Sequence, residues 1–524
     1  MPLSPDQYRD RVTMGRTRFL VIILIFVVAA GLRSQDLRKP WVGHHKAWGG
    51  ATYGNIARNF IKYGYAKTKL GPVANTGDVP AEKFEFYYHY PPLLLWLVSL
   101  SYHLFGVHEW SARLVPLLFS LASMGLLYIF ALRLFSSRVA LWTLIVSAIM
   151  PIQNYYGTHV DVYGSVAVFF TILALYGYAR WLETYRSLDL ALCNLGIILG
   201  CMTAWYTYFL VPLIIPHYYF FYFRPRKSRE YRLLSIAASA AAVFALFVLH
   251  RHMLVANAGS EVQGTLIEKL LIRTSYGTIV TPSGERAGPG WLLMHHLRDV
   301  VILYSLPLIV LAVTWCVLFI RDGLSGRLQN CDWLVLMLLG YGLLHNLAFP
   351  NLLINHDYLA LCYAPGIALA AALFFDRSDK YLERIWGRGV RNITIGVLLA
   401  IVLATGVYQT ERLYSRDGSS YAYQLQRWGE IIRQHSDKED VVLTPTSEDG
   451  VFKYYAEREM GFEADTAQEV TERSKDKTIG YLFICPIGKA DQFKGVLEYL
   501  DTTYSRQTED TLFIYAIRRR GQAS

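Results

Sequence analysis

The sequence predicts a polytopic α-helical membrane protein that ends in a small α/β domain, and three observations carry that reading. The 524-residue chain is 53% hydrophobic with a mean hydropathy of +0.25, too apolar for one soluble domain. Apolar runs of about 17–24 residues recur along it, each long enough to cross a bilayer. Beyond residue 409 the pattern changes to short, alternating helix-like and strand-like segments. Residues 1–409 therefore read as a transmembrane module and 410–524 as a soluble extracytoplasmic domain.

The first span, about Phe19 to Leu32, follows Arg9, Arg11, Arg16 and Arg18. No small-residue cleavage site stands out, so it reads as a retained anchor with a cytoplasmic N-terminus. It delivers a first outer loop, 34–111, that contains Trp41-Val-Gly-His-His-Lys-Ala-Trp-Gly-Gly-Ala-Thr-Tyr53. The second half of that stretch reads as a short amphipathic helix with Tyr53, Ile56, Phe60 and Tyr63 on one face, leaving Arg58 and Asn59 off the stripe. The segment starting Pro91-Pro-Leu-Leu-Leu is short and begins with two prolines, so it either crosses or lies in the interface. Parity decides for the interface. With the segment lying flat, later spans fall near 112–134, 139–157, 162–182, 188–204, 205–223, 232–254, 300–320, 333–349, 357–376 and 391–409. Nearly every Arg and Lys cluster is then cytoplasmic, as the positive-inside rule requires, and the chain has about eleven spans. The last segments place helices at Tyr421–His435, 449–458 and 491–499, and strands at Val441-Val-Leu-Thr, Tyr481–Cys485 and Leu512–Ile517.

The formal charge of +10 encodes this orientation and not a nucleic-acid partner. The six cysteines form no CxxC pair, so neither a disulfide framework nor a metal knuckle is indicated. The parity places the chemistry on one outer face. His44 and His45 offer imidazoles that are plausible general bases near neutral pH. Asp161, in Thr158-His-Val-Asp-Val-Tyr163, opens a span and is either a helix cap or a functional carboxylate. His356-Asp357-Tyr358 opens another span in the same way. The 256–299 loop carries Glu261, Lys269, Arg273, Arg286, His295, His296 and Arg298, and cations on the outer face are explained by an anionic ligand such as a phosphate head group.

These residues also resemble a known group. Ile56-Ala-Arg-Asn-Phe-Ile-Lys-Tyr-Gly64, His89-Tyr-Pro-Pro-Leu-Leu-Leu-Trp-Leu, Leu104-Phe-Gly-Val-His-Glu-Trp-Ser-Ala-Arg-Leu-Val-Pro116 and the segment from Asn355 through His356-Asp357-Tyr358 occur in order over about residues 15–375. In that order they resemble the GT-C fold membrane glycosyltransferases of the protein O-mannosyltransferase and aminoarabinose transferase superfamily. The resemblance implies inverting transfer of a hexosyl or pentosyl group from a polyprenyl-phosphate sugar to a glycan, lipid or protein acceptor outside the cytoplasm. It implies a carboxylate that assists the acceptor, with a divalent metal (Mg2+ or Mn2+) or basic residues on the phosphate. Absence of organelle signals points to a bacterial or archaeal plasma membrane, the inner membrane in a bacterium. On this reading His44, His45 and Asp161 are the catalytic candidates. Tyr53, Arg58, His89, Lys269, Arg273, His356, Asp357 and Tyr358 bind substrate.

The sequence departs from the group where an Asp-Glu pair normally precedes the Tyr-x-x-Ile-Ala-Arg motif. Gly49 and Gly50 stand there. His44, His45 or Asp161 then substitutes, or Glu85 and His89 approach from later in the loop as base or metal ligands. Two other readings stay open: a catalytically inactive carrier-binding or scaffold subunit, and a transporter or flippase. The latter expects charges buried mid-span and repeated halves, and neither is seen.

Overall fold

The structure is a computed structural model and describes residues 15–222, 230–258, 266–275, 288–354, 356–476 and 478–518. Arg9, Arg11, most of the basic run 224–232, Glu261, Arg286 and Asn355 lie outside the described residues. The chain is a helical bundle followed by a five-stranded domain. Among the described residues, six helical stretches are long and apolar enough to cross a membrane. Three more apolar helices are shorter, Leu93–Phe105, Ser137–Ile149 and Ser187–Cys201.

The difference from eleven continuous spans has local causes. The predicted 139–157 span is cut into Ser137–Ile149 and Pro151–Tyr155, because Pro151 disfavours helical backbone at Met150, which is extended (φ −66°, ψ 117°). The 205–223 span starts as a 3-10 turn, Trp205–Leu210, before Val211–Phe221. The 300–320 span is divided at Ser305 into Pro289–Tyr304 and Leu306–Leu324. The last two predicted spans merge into Ala364–Ser415, interrupted where Gly387 takes φ 77°. The Pro-Pro segment becomes a 13-residue helix, about 20 Å long and below the bilayer's hydrocarbon thickness.

The first loop holds more helix than its sequence suggested. A single helix runs His44–Tyr63, so His44 and His45 occupy its first turn instead of a loop. After it the chain runs without helix over residues 84–88, with a single antiparallel bridge between Val73 and Phe86, and alternates faces. Phe84, Phe86 and Tyr88 pack with Val73, Phe247 and Leu254, which leaves Tyr87 and His89 for the opposite side.

Within the bundle, Ser165–Thr184 and Ser187–Cys201 make the closest helix pair. A Cβ on Gly177 would stand 2.4 Å from the Cys193 amide nitrogen, and one on Gly196 would stand 2.4 Å from that of Ala174. Small residues let membrane helices approach to backbone contact where no hydrophobic effect drives them together.

The C-terminal sheet has strands β1 (Val441–Leu443), β2 (Glu459–Gly461), β3 (Tyr481–Pro486), β4 (Arg506–Glu509) and β5 (Leu512–Arg518) in the order β2-β1-β3-β5-β4. β1 is parallel to β2 and β3, and β5 is antiparallel to β3 and β4. β2, β4 and the capped helix Ala467–Arg473 are elements that the sequence pattern did not reveal. The short helix Gly450–Ala456 docks this domain on the first loop. The Tyr455 hydroxyl accepts from the Trp41 amide at 2.9 Å and donates to Glu109 at 2.8 Å, and Arg58 pairs with Glu457 at 3.2 Å.

Gly196→Val puts an isopropyl group, three carbon atoms, into this tight helix contact. It is expected to destabilise the bundle by about 1–3 kcal/mol, read as a lower Tm of the detergent-solubilised protein, while Gly488→Ala, whose Cβ meets nothing within 4 Å, leaves Tm unchanged.

Candidate active site

The break at Pro151 matters because the turn that follows it carries Asp161. Residues 156–164 fold into consecutive tight turns: the His159 amide donates to the Tyr156 carbonyl, that of Asp161 to His159, and that of Gly164 to Asp161, each at 3.0–3.1 Å. Gly164, not Asp161, caps the helix Ser165–Thr184. The Asp161 carboxylate instead accepts from the Tyr163 amide at 2.8 Å and from the Tyr358 hydroxyl. Asp357 is likewise no cap; it accepts from the Tyr156 hydroxyl at 2.6 Å.

Asp161 is 1% exposed. Burial raises its carboxyl to about 7, although the Tyr163 amide and the Tyr358 hydroxyl both favour the anion. His159 is also buried, and desolvation followed by the nearby Lys46 ammonium lowers it to about 3, so its ring is neutral. Its Nε2 lies 3.2 Å from the His45 carbonyl, an acceptor only, which places the ring proton on Nε2. The His45 ring stands 5.4 Å from that of His356 and 5.9 Å from that of Tyr358. The side chain of His44 lies outside the described residues.

Aromatic rings close the remaining sides. Tyr53 and Tyr87 meet at 6.2 Å, Tyr87 and His89 at 4.6 Å, and Tyr90 and Tyr163 at 5.5 Å between ring centres. Trp48, 40% exposed, meets both Tyr53 and Tyr87 edge-on.

Beside this centre runs a groove of about 460 Å3. Trp205, Phe244, Val248, Ile267, Leu270 and Phe349 make it apolar, and His89, Tyr163, Lys269 and Arg273 add the polar groups. Arg273 donates to the Tyr90 hydroxyl at 3.0 Å and stacks over that ring at 4.9 Å.

The structure thus gathers His45, Tyr53, His89, Asp161, Lys269, Arg273, His356, Asp357 and Tyr358 around one centre and its groove. Arg58 and Glu85 are placed elsewhere. Arg58 is held by Asn55, Glu457 and the Tyr454 ring at the domain junction. Glu85 lines a separate polar cleft of about 660 Å3 between the first loop and the sheet, with Glu439, Glu459 and Arg473. His159, Tyr87, Tyr90 and Tyr163 join the centre without having been predicted as site residues. The alternation of Phe84-Glu-Phe-Tyr-Tyr-His-Tyr90 is the signal that points Tyr87 inward with His89.

Gly49 and Gly50 also find their explanation here. A Cβ on Gly49 would stand 3.0 Å from His159 Nε2 and from the Val160 carbonyl, and 3.6 Å from the Asp161 carboxylate. One on Gly50 would lie 2.1 Å from the Trp41 ring. The helix therefore lies flat on the Asp161 turn and has no room for an acidic pair. Among the described residues, no group of three His, Cys, Asp or Glu side chains could hold a metal ion. The donor set does not fit the divalent metal that the resemblance implies. Gly50→Ala is expected to lower Tm by forcing Trp41 aside, a loss of about 1–3 kcal/mol, measured in the same detergent assay.

Comparison with known proteins agrees with this geometry. Residues 89–255 match the family model described as dolichyl-phosphate-mannose-protein mannosyltransferase. A search of curated proteins by sequence finds no match. Among solved structures, ArnT from Cupriavidus metallidurans bound to undecaprenyl phosphate superposes with a TM-score of 0.63 at 15% identity, covering 96% of this chain and 98% of that one. The apo state of the same protein gives 0.59 at 15% identity, over 95% and 98% of the two chains. The Archaeoglobus fulgidus oligosaccharyltransferase, tethered to an acceptor peptide, gives 0.55 at 14% identity over 95% of this chain and 74% of that one. At such identities the structural likeness is one of fold. The chain thus has the multi-pass membrane fold of these GT-C glycosyltransferases, and its residues 89–255 are similar to the mannosyltransferase family.

Proposed function

We propose that this chain transfers a sugar from a polyprenyl-phosphate carrier to an acceptor hydroxyl or amine, inverting the anomeric carbon, on the outer face of a plasma membrane, with its N-terminus cytoplasmic. The observation that carries this reading is the meeting of groove and carboxylate at Tyr163. Its side chain lines the groove that holds Lys269 and Arg273, and its amide donates to Asp161. The undecaprenyl phosphate bound to the similarly folded ArnT, and the dolichol phosphate bound to AglB of Archaeoglobus fulgidus, support a lipid phosphate as the ligand class.

In this reading the apolar wall takes the isoprenoid chain, and Lys269 and Arg273 pair with the phosphate. The anomeric carbon then faces Asp161. The acceptor oxygen or nitrogen forms the new bond to that carbon as Asp161 removes its proton. The bond from carbon to phosphate oxygen breaks on the opposite side, and its electron pair leaves on the carrier phosphate, where the two cations offset the charge. A carboxylate raised towards neutrality is a stronger base than one in water, and the surrounding rings exclude competing water. Trp48, exposed beside Tyr53 and Tyr87, offers an apolar face to an incoming acceptor. No metal enters the scheme.

The test is turnover of radiolabelled polyprenyl-phosphate sugars by the purified full chain in detergent. Asp161→Asn is expected to lower kcat by about 10²–10⁴-fold. Arg273→Ala is expected to raise donor KM about 10–100-fold through loss of a charge-assisted contact worth about 1.5–3 kcal/mol. EDTA leaves the rate unchanged. Because the base form of Asp161 is the anion and its carboxyl sits at about 7, the wild-type rate rises as pH passes upward through about 7. Carrier binding without turnover, indifferent to Asp161→Asn across a broad panel of sugars and acceptors, would identify a carrier-binding subunit instead.

A further inference from the structure

One buried cation takes no part in this scheme. Arg33 ends the first helix, Arg16–Arg33, and is 0% exposed. Its hydrogen bonds are all to neutral groups. Nη1 donates to the Ser120 hydroxyl at 2.8 Å, and Nη2 donates to the Ser147 carbonyl at 2.8 Å and to the Gln153 side-chain oxygen at 3.0 Å. No carboxylate pairs with it among the described residues. A buried guanidinium without a counter-ion is expensive, so its contacts call for an explanation.

The two acceptors lie on either side of the break at Met150. Ser147 belongs to the last turn of Ser137–Ile149, where carbonyls have no partner further along the helix. In an unbroken helix the Ser147 carbonyl would receive the amide of residue 151, but proline has none. Arg33 supplies that donor and holds Gln153, on the next short helix, with the same nitrogen. Gly157 follows at the start of the turn. A Cβ there would meet the Gln153 carbonyl at 2.5 Å and the Arg33 side-chain carbons at 3.2 Å. One residue later, the Thr158 hydroxyl donates to Asp36 at 2.8 Å, three residues beyond Arg33.

We infer that Arg33 is a positioning residue for the proposed transfer: it braces the broken helix 137–155 and so fixes the depth at which the following turn holds Asp161. The inference rests on the function proposed above for Asp161 and adds a remote group on which that carboxylate's setting depends. A brace of this kind acts on chemistry more than on the carrier, since Lys269 and Arg273 belong to another helix and, of the 156–164 turn, Tyr163 alone is among the residues that line the groove. When the brace is removed, the 156–164 turn is no longer held tight, water reaches Asp161, and its carboxyl titrates nearer to its ordinary range.

Two measurements on the purified full chain test this. Turnover with radiolabelled donor gives kcat and donor KM for Arg33→Met, Arg33→Lys and Gly157→Ala, with Asp161→Asn as the reference for lost chemistry. Infrared pH-difference spectra follow the protonated carboxyl band that Asp161→Asn removes, and report its titration whether or not the preparation turns over. Arg33→Met and Gly157→Ala disturb the same contact from its two sides. Both are expected to lower kcat at least tenfold with donor KM within twofold, and to move the Asp161 midpoint down by one pH unit or more. Arg33→Lys, which keeps a donor for the Ser147 carbonyl, retains a larger share of both. An Asp161 midpoint unchanged in Arg33→Met and in Gly157→Ala overturns the inference, as does a loss confined to the amount of folded protein with normal kcat per folded molecule. A wild-type preparation that shows the Asp161 titration and its shift in the variants but no turnover leaves the brace standing and refutes the transfer reaction.

Discussion

The site depends first on a buried cation–carboxylate cluster. Lys46 pairs with Asp36, lies 3.6 Å from Asp417, and has the rings of Tyr155 and Tyr414 at 4.0 and 4.7 Å. Asp36 follows the first helix, Lys46 sits in the first turn of the His44–Tyr63 helix, and Asp417 lies where the bundle gives way to the C-terminal domain. Burial alone would raise the Asp36 carboxyl, but Lys46 and Arg113 outweigh it and hold Asp36 below its usual range. Removing one partner of such a buried pair leaves an uncompensated charge and costs about 3–5 kcal/mol. The cluster therefore locks the end of the first helix, the start of the His44–Tyr63 helix and the distant Asp417 segment into one arrangement. His45 and Gly49, one turn apart, come down on the Asp161 turn as a consequence.

Close packing at that contact explains the departure from the family pattern. An acidic pair at positions 49 and 50 would need space that the Trp41 ring and the 159–161 backbone occupy. The two glycines are thus part of a tighter interface, and the carboxylate that remains, Asp161, is dry. Desolvation does two things here. It raises the carboxyl to about 7, which strengthens it as a base, and it lowers His159 to about 3, which keeps a second positive charge away from the carboxylate. A perturbed carboxylate beside a cation-bearing apolar groove is a combination that structural packing alone does not require.

Charge is segregated along the groove in a way that suits an anionic lipid. The cations come from one short helix, Leu266–Thr274, and Arg273 is paired with the Tyr90 ring and hydroxyl instead of a carboxylate. A tyrosine hydroxyl orients the guanidinium without neutralising it, so its charge stays available to a phosphate. Arg58 shows the opposite case. The resemblance implies substrate binding for it, and in the structure Glu457 and the Tyr454 ring engage it, linking the first loop to the C-terminal domain.

The sequence by itself determined the membrane class, the series of apolar helices, the α/β character of the C-terminal domain and the candidacy of Asp161, Lys269, Arg273 and Tyr358. These are legible because helical and strand periodicities, proline breaks and the charge bias of loops are written in neighbouring residues. Even there, the break at Pro151 is hidden, since a long apolar run masks a single backbone interruption. Only the tertiary structure decided the rest: that Gly49 and Gly50 are excluded volume, that His159 is neutral, that Arg58 faces another domain, and that Arg33 and Lys46 lie beneath the site. Apart from the Gly50–Trp41 contact, which spans nine residues, each depends on a contact between segments from tens to hundreds of residues apart. Local periodicity carries no record of which residue will desolvate another, so burial and its effect on charge emerge only when the chain has folded.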